Sequence, residues 1–334
     1  MIFDPSKPPL TDSDGLLKSI PVEAGPEIWE RATRVVSSGL CDLQVNGFAG
    51  VDYNDPTLMP EEFEKSIFTM LSTGVTTCLP TVITGSEDWQ IQCFHALEKG
   101  RNASKLAQAM IPGYHLEGPF LNPEEGFCGC HPTKWMRPAT WDHFERLQEA
   151  AGGRITLITV APEIKGVLDL IPKLVEKGIA VAIGHCNPDR DTLLRAADAG
   201  VTLSTHLGNG IAQILPKKDN PILGQLAEDR FSASFIADGV HQQPHVLRVY
   251  LRAKQSSRTI LVTDGTSCSA ALPGRYSLGQ ADIERQQEDI VYIPGTKMLA
   301  GSATTLSECV ANVVDWHGAP FDEVIRWASE QPRR

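Results

Sequence analysis

The chain has 334 residues, 42% of them hydrophobic, with a formal net charge of -11 and a pI near 5.3. That is ample apolar material for one large domain or two average ones, and the acidic balance excludes a surface built to neutralise nucleic-acid or anionic-membrane phosphates. No run approaches the roughly 20 apolar residues of a membrane span, and the opening MIFDPSKPPLTDSDG has neither the basic flank nor the apolar run of a signal peptide. The expectation is a cytoplasmic protein with small-molecule partners, no nucleic acid and no membrane. The eight cysteines are scattered and read as reduced thiols; the one close pair, Cys128 and Cys130, has no second pair to complete a structural zinc site.

In chain order, residues 1–35 offer no strand pair and read as an irregular N-terminal segment, and 36–334 read as one domain. Within it, short β-branched runs alternate with helical periodicity, which marks a parallel α/β architecture. A strand at 41–45 precedes a helix at 60–72. Strand 74–82 precedes helix 91–109, strand 110–116 precedes helix 140–150, and strand 155–160 precedes helix 167–177. Strand 179–183 is followed by helix 190–199, strand 201–205 by no assigned helix, and strand 231–236 by helix 244–254. Strand 259–262 is the eighth, and a helical segment at 321–329 lies near the end. Gly74, Gly178 and Gly200 sit where helices hand over to strands. Eight parallel strands close a (β/α)8 TIM-like barrel, here with little decoration.

Barrels of this kind carry their chemistry at the carboxyl ends of the strands. There the sequence places Glu117 in HLEGP, His185 in AIGH, His206 in LSTH, Asp238 and His241 in IADGVH, and Asp264 in LVTDG. Taken singly, each of these is a weak signal, since a lone strand-end histidine is more often structural. Together, Glu117, His185 and His206 supply one oxygen and two nitrogens, a three-ligand set that leaves positions open for water and substrate. Asp264 then has a task, because a carboxylate beside an activated water can take its proton and pass it to a leaving amine. His115 shares a strand face with Glu117 but reads as structural. His95, His143, His245 and His317 fall in helical segments and read as packing or surface residues.

The series DLQVNG, HLEGP, GHCN, THLGNG, IADGVH, LVTDG and LAGSATTL, over about residues 38–330, resembles the N-acetylglucosamine-6-phosphate deacetylase family of the amidohydrolase superfamily. The resemblance implies a metal-dependent hydrolase barrel that removes the acetyl group of N-acetylglucosamine 6-phosphate, with Glu117, His185 and His206 as metal ligands and Asp264 as base and acid. It also implies that His131, in CGCHP, lies by the scissile amide. Cys130, Asn209, Gly210, His241, Leu299, Ala300 and Gly301 would then contact or line the substrate site. Many superfamily members have His-x-His in the first strand for a second metal, whereas this chain has Gln44 and Asn46, poor ligands beside imidazole. One divalent ion per chain is expected, zinc first, with iron, cobalt or manganese compatible.

Two departures qualify the substrate. The family's usual phosphate-binding arginine in the loop after strand six, donated across a homodimer, is replaced by Lys217 and Lys218 in ILPKKDNP, and lysine holds phosphate as a point charge rather than a two-pronged donor. The family's flanking β-sandwich is expected to be reduced or absent. The alternatives are an amidohydrolase acting on another N-acyl amino sugar, an N-acyl amino acid or a cyclic amide, and a catalytically silent barrel that only binds.

Overall fold

Val75–Val82, Ile155–Val160 and Thr259–Val262 are runs of apolar and β-branched residues that are mostly or wholly buried, as strands covered on both faces must be. The structure, a computed structural model describing residues 38–287 and 289–334, joins them to five others in an eight-stranded parallel sheet. In sheet order the strands are β1 (Leu40–Val45), β4 (Val75–Val82), β5 (Tyr114–Glu117), β6 (Ile155–Val160), β7 (Ala180–Ile183), β8 (Leu203–Ser204), β9 (Ser232–Ile236) and β10 (Thr259–Val262). The short antiparallel pair β2 (Gly47–Phe48) and β3 (Val51–Asp52) follows β1.

The sheet closes between its first and last strands. The Asn46 N–H donates to the Gly265 carbonyl at 2.7 Å. The Asp42 carboxylate accepts the Thr263 hydroxyl at 2.6 Å and the Thr263 N–H at 3.2 Å. Inside the barrel, Leu79, Leu157, Ala182, Leu203, Ile236, Ile260 and Val262 pack as one apolar layer. Above it lies a polar layer in which His115 bonds Thr159 at 2.7 Å and Thr159 bonds Thr205 at 2.7 Å. His115 thus has the structural environment expected of it.

Outside the barrel, helices bury one stripe against the sheet. Pro60–Ser72 starts with proline in its first turn, buries Phe63, Ile67, Met70 and Leu71, and hands over through Thr73 to Gly74 in the left-handed region. The helix expected over 91–109 is two, Glu87–Ala103 and Lys105–Met110. Ser104 between them is extended, and its side chain accepts the Ala107 N–H, so a cap interrupts the periodicity. Met110 therefore ends a helix, and β5 begins four residues later.

Two helices and an antiparallel sheet after β10 lie beyond the expectations. Helix Pro221–Ala227 fills the gap after β8, and helix Leu306–His317 opens with a Thr305/Glu308 capping box. Strands β11 (Gly274–Leu278), β12 (Ala281–Arg285) and β13 (Val291–Tyr292) form an antiparallel sheet after β10. The barrel is therefore less bare than expected: among the described residues, this sheet and the β2–β3 pair are the β structure outside it. The segment 1–35 lies outside the described residues.

Helix Phe321–Trp327 packs against β10, and just after it the Ala328 carbonyl accepts the Cys41 N–H of β1 at 2.7 Å. Trp327 is 2% exposed and its indole N–H donates to the Ser256 hydroxyl at 2.8 Å. Trp327→Ala should cost about 3–5 kcal/mol, the range for deleting a buried aromatic, and urea unfolding would register it. A loss under about 1 kcal/mol would mean that the site collapses around the gap.

Candidate active site

The carboxyl mouth of the barrel opens into a cavity of about 690 Å³. Four strand ends bring Glu117, His185, His206 and Asp264 to it. Three of these residues have backbones in the left-handed region, His185 at φ 49°, His206 at 30° and Asp264 at 48°. Non-glycine residues held there store roughly 1–3 kcal/mol each, and such strain clusters where side chains must be aimed.

Glu117, His185 and His206 are buried, and one ligand atom from each lies within 4.8 Å of the others. Glu117 Oε1 is 3.0 Å from His206 Nε2 and 3.5 Å from His185 Nε2. His185 Nδ1 is 2.8 Å from the Phe127 carbonyl. A carbonyl can only accept, so Nδ1 carries the proton, and in neutral His185 the Nε2 lone pair faces a carboxylate oxygen. Two acceptors turned toward each other in a buried site call for a cation between them, and a backbone carbonyl orienting a ligand imidazole is the usual support of a metal site. The donor set, one carboxylate and two imidazoles, fits a divalent metal. Gly210 lies against the same ring: a Cβ there would be 2.4 Å from His185 Nδ1, so the loop after β8 can approach this closely only with glycine.

Burial would raise the Glu117 carboxyl, yet the imidazoles of His185, His206 and His131 around it hold it well below the usual range. Burial and the Glu117 charge push Asp264 the other way, to about 6, against the pull of His206, His241 and Asn46. The two carboxylates are driven apart in acidity, as the acid–base assignments of an active site require. Asp264 Oδ1 accepts the Asn46 side-chain N–H at 2.7 Å. His131 bonds Thr84 through Nδ1 at 3.0 Å, and its Nε2 is 3.7 Å from Glu117 Oε2. Burial lowers its pKa to about 3, so the ring is neutral.

Of the remaining expected residues, Cys130, Asn209, Gly210, His241, Leu299 and Gly301 line the cavity. His241 Nδ1 bonds Asp238 at 2.6 Å. Asn209 donates its side-chain N–H to the His206 carbonyl at 3.0 Å. Ala300 is fully buried behind the wall in a cluster with Leu278, Ile283 and Val291. Lys217 is exposed and does not line the cavity; the loop after β8 lines it only from Gly208 to Ile214. Gln44 is buried away from the cavity, whereas Asn46 lines it. Sequence reasoning treated Asn46 only as a missing metal ligand and did not find its bond to Asp264. It also missed Lys297, Met298 and Glu125 in the wall.

A parallel barrel that gathers a buried Glu–His–His set and an elevated aspartate at its carboxyl mouth is a hydrolase barrel of the metal-dependent kind. No family model matches the chain. The N-acetylglucosamine-6-phosphate deacetylase of Bacillus subtilis (strain 168) is 30% identical over 325 residues, 95% of this chain and 81% of the relative, and the human enzyme is 31% identical over 313 residues, 90% and 74%. A solved mutant of the Mycobacterium smegmatis enzyme, in complex with N-acetyl-D-glucosamine-6-phosphate, superposes with a TM-score of 0.79 at 26% identity, covering 94% of this chain and 79% of that one. The chain belongs to the N-acetylglucosamine-6-phosphate deacetylase family.

Proposed function

We propose that the protein hydrolyses the acetamide of N-acetylglucosamine 6-phosphate, yielding acetate and glucosamine 6-phosphate. The observation that carries this reading is the convergence of Glu117, His185, His206 and Asp264 on one cavity in a chain of this family. Glu117, His185 and His206 would hold one divalent ion, zinc first, with iron, cobalt or manganese compatible with the same donors. That ion would supply Lewis acidity, activating water at neutral pH and polarising the acetyl carbonyl.

The chain's own part is proton handling and placement. Asp264 accepts a proton from the attacking water as its oxygen bonds to the acetyl carbon. It returns that proton to the sugar nitrogen as the C–N bond breaks, so that the amine leaves neutral. Asn46 holds one Asp264 oxygen and leaves the other free for this transfer. The neutral His131, its Nε2 3.7 Å from Glu117 Oε2, would sit by the scissile amide. Cys130, Asn209, Gly210, His241, Leu299 and Gly301 frame the sugar.

Acetate release from N-acetylglucosamine 6-phosphate, set against the unphosphorylated sugar and an N-acetyl amino acid, tests the assignment; equal rates on all three would reject it. Sedimentation of the purified chain tests the homodimer implied by the family resemblance.

Asp264 also sets a pH dependence. A base works deprotonated, so kcat/KM should fall as pH drops through its pKa, about 6 before the offsetting charge of a bound cation draws it lower. Removing the Asn46 N–H donor disfavours the carboxylate and raises that pKa. Asn46→Ala should therefore move the acid limb upward by about one unit, and a pH–rate profile with an unmoved limb would detach Asn46 from the base.

A further inference from the structure

We propose that Thr84 is a positioning residue that holds His131 with its proton on Nε2, so that the ring offers the acetyl oxygen a donor rather than a lone pair; this rests on the reading of the substrate above. His131 lines the cavity beside His185, with ring centroids 4.5 Å apart. Which nitrogen of a neutral imidazole carries the proton is set by what the other nitrogen faces. For His185 that partner is the Phe127 carbonyl, which puts the proton on Nδ1 and turns the Nε2 lone pair toward Glu117 Oε1. For His131 it is the Thr84 hydroxyl, 3.0 Å from Nδ1, and a hydroxyl can donate. Two neighbouring rings are thereby set to opposite tautomers, one to ligate and one to donate.

Both ends of the His131 ring point to this assignment. Besides Nδ1, the Thr84 hydroxyl has the Glu117 carbonyl within reach, at the longer distance of 3.4 Å. If its one proton went there, Nδ1 would have to be the donor and the Nε2 lone pair would face Glu117 Oε2, 3.7 Å away. An N–H is attracted to that carboxylate and a lone pair is repelled, so the proton belongs on Nε2 and the hydroxyl points at Nδ1. The hydroxyl is also fixed in place. Thr84 is buried two residues beyond β4, and a Cβ on Gly118 would collide with its oxygen. The backbone just before it is held on both sides: the Ile83 N–H donates to the Asn54 side-chain oxygen at 2.9 Å, and the Ile83 carbonyl accepts the Gln90 side-chain N–H at 2.9 Å. In the reaction the acetyl oxygen gains negative charge as water attacks, and a fixed N–H beside it stabilises that charge where a lone pair would oppose it.

The test combines nitrogen NMR of the histidine rings with steady-state kinetics on N-acetylglucosamine 6-phosphate, using the full chain loaded with zinc. The signals missing from His131→Ala are those of His131, and in the parent they should show a protonated Nε2 and a bare Nδ1. Thr84→Val, which keeps the side chain's shape and removes the hydroxyl, should lower kcat roughly 10-fold with KM little changed, and Thr84→Ser should restore most of the loss. In a His131→Ala background, Thr84→Val should cost less than about twofold further, because a residue that acts through His131 then has nothing left to act on. His131 protonated on Nδ1 in the parent overturns the assignment, as does a Thr84→Val enzyme with the parent's kcat or one whose loss is undiminished without His131. A parent that shows the Nε2 proton but releases no acetate from N-acetylglucosamine 6-phosphate keeps the tautomer assignment and overturns the substrate reading beneath it.

Discussion

Asp264→Asn should retain the parent's metal content and fold while kcat falls by about 10³-fold, within the span that a positioned acid–base group contributes. The amide keeps the size of the side chain and can still pair with Asn46, but it cannot take a proton from water. It also removes a buried carboxylate whose ionisation the site opposes, since burial and the Glu117 charge both work against it. The variant should therefore unfold no earlier than the parent, and its KM should change less than its kcat, because the group acts in the transition state rather than in binding. Stopped-flow acetate release with metal analysis of the same sample makes the comparison. Turnover within about tenfold of the parent would remove Asp264 from proton transfer.

The second large effect concerns the cation set. Dialysis of the parent against a chelator should abolish turnover, and adding back zinc should restore it. Glu117→Gln should lose turnover without rescue, because the neutral amide that replaces the carboxylate is a poor ligand beside two imidazoles. Metal saturation should also stabilise the parent by about 4 kcal/mol at roughly 1000 times its Kd, an increment that Glu117→Gln should not show in thermal unfolding. One ion per chain is expected on the parent, since the described residues bring together one group with metal-binding geometry. Two tightly held ions, or full activity after chelation, would contradict the site as read.

The elements legible in the sequence were those whose pattern is local. β6 and β10 are fully apolar or β-branched runs bounded by turn residues, and their limits match the expectation residue for residue. Glu117, His185, His206 and Asp264 were legible because parallel strands all point their carboxyl ends the same way, so position in the chain becomes position in space. What was not legible depends on partners far away or on shape. The bond from Asn46 to Asp264 spans 218 positions, and nothing near Asn46 hints at it beyond the absence of a histidine. β11–β13 are short and half-exposed, with burial patterns too mixed to stand out. Lys217 follows the THLGNG motif closely in sequence, but its loop lines the cavity only as far as Ile214.

The barrel's seam has one more consequence. β1 is the first barrel strand and β10 the last, and the contacts that join them, Asp42 with Thr263 and Asn46 with Gly265, flank the very bond that orients Asp264. The proposed proton carrier is thus aimed only while the first and last barrel strands stay joined. Loosening this seam, whether by denaturant or by a nick between β1 and β10, should silence the enzyme while the other strand pairings still hold.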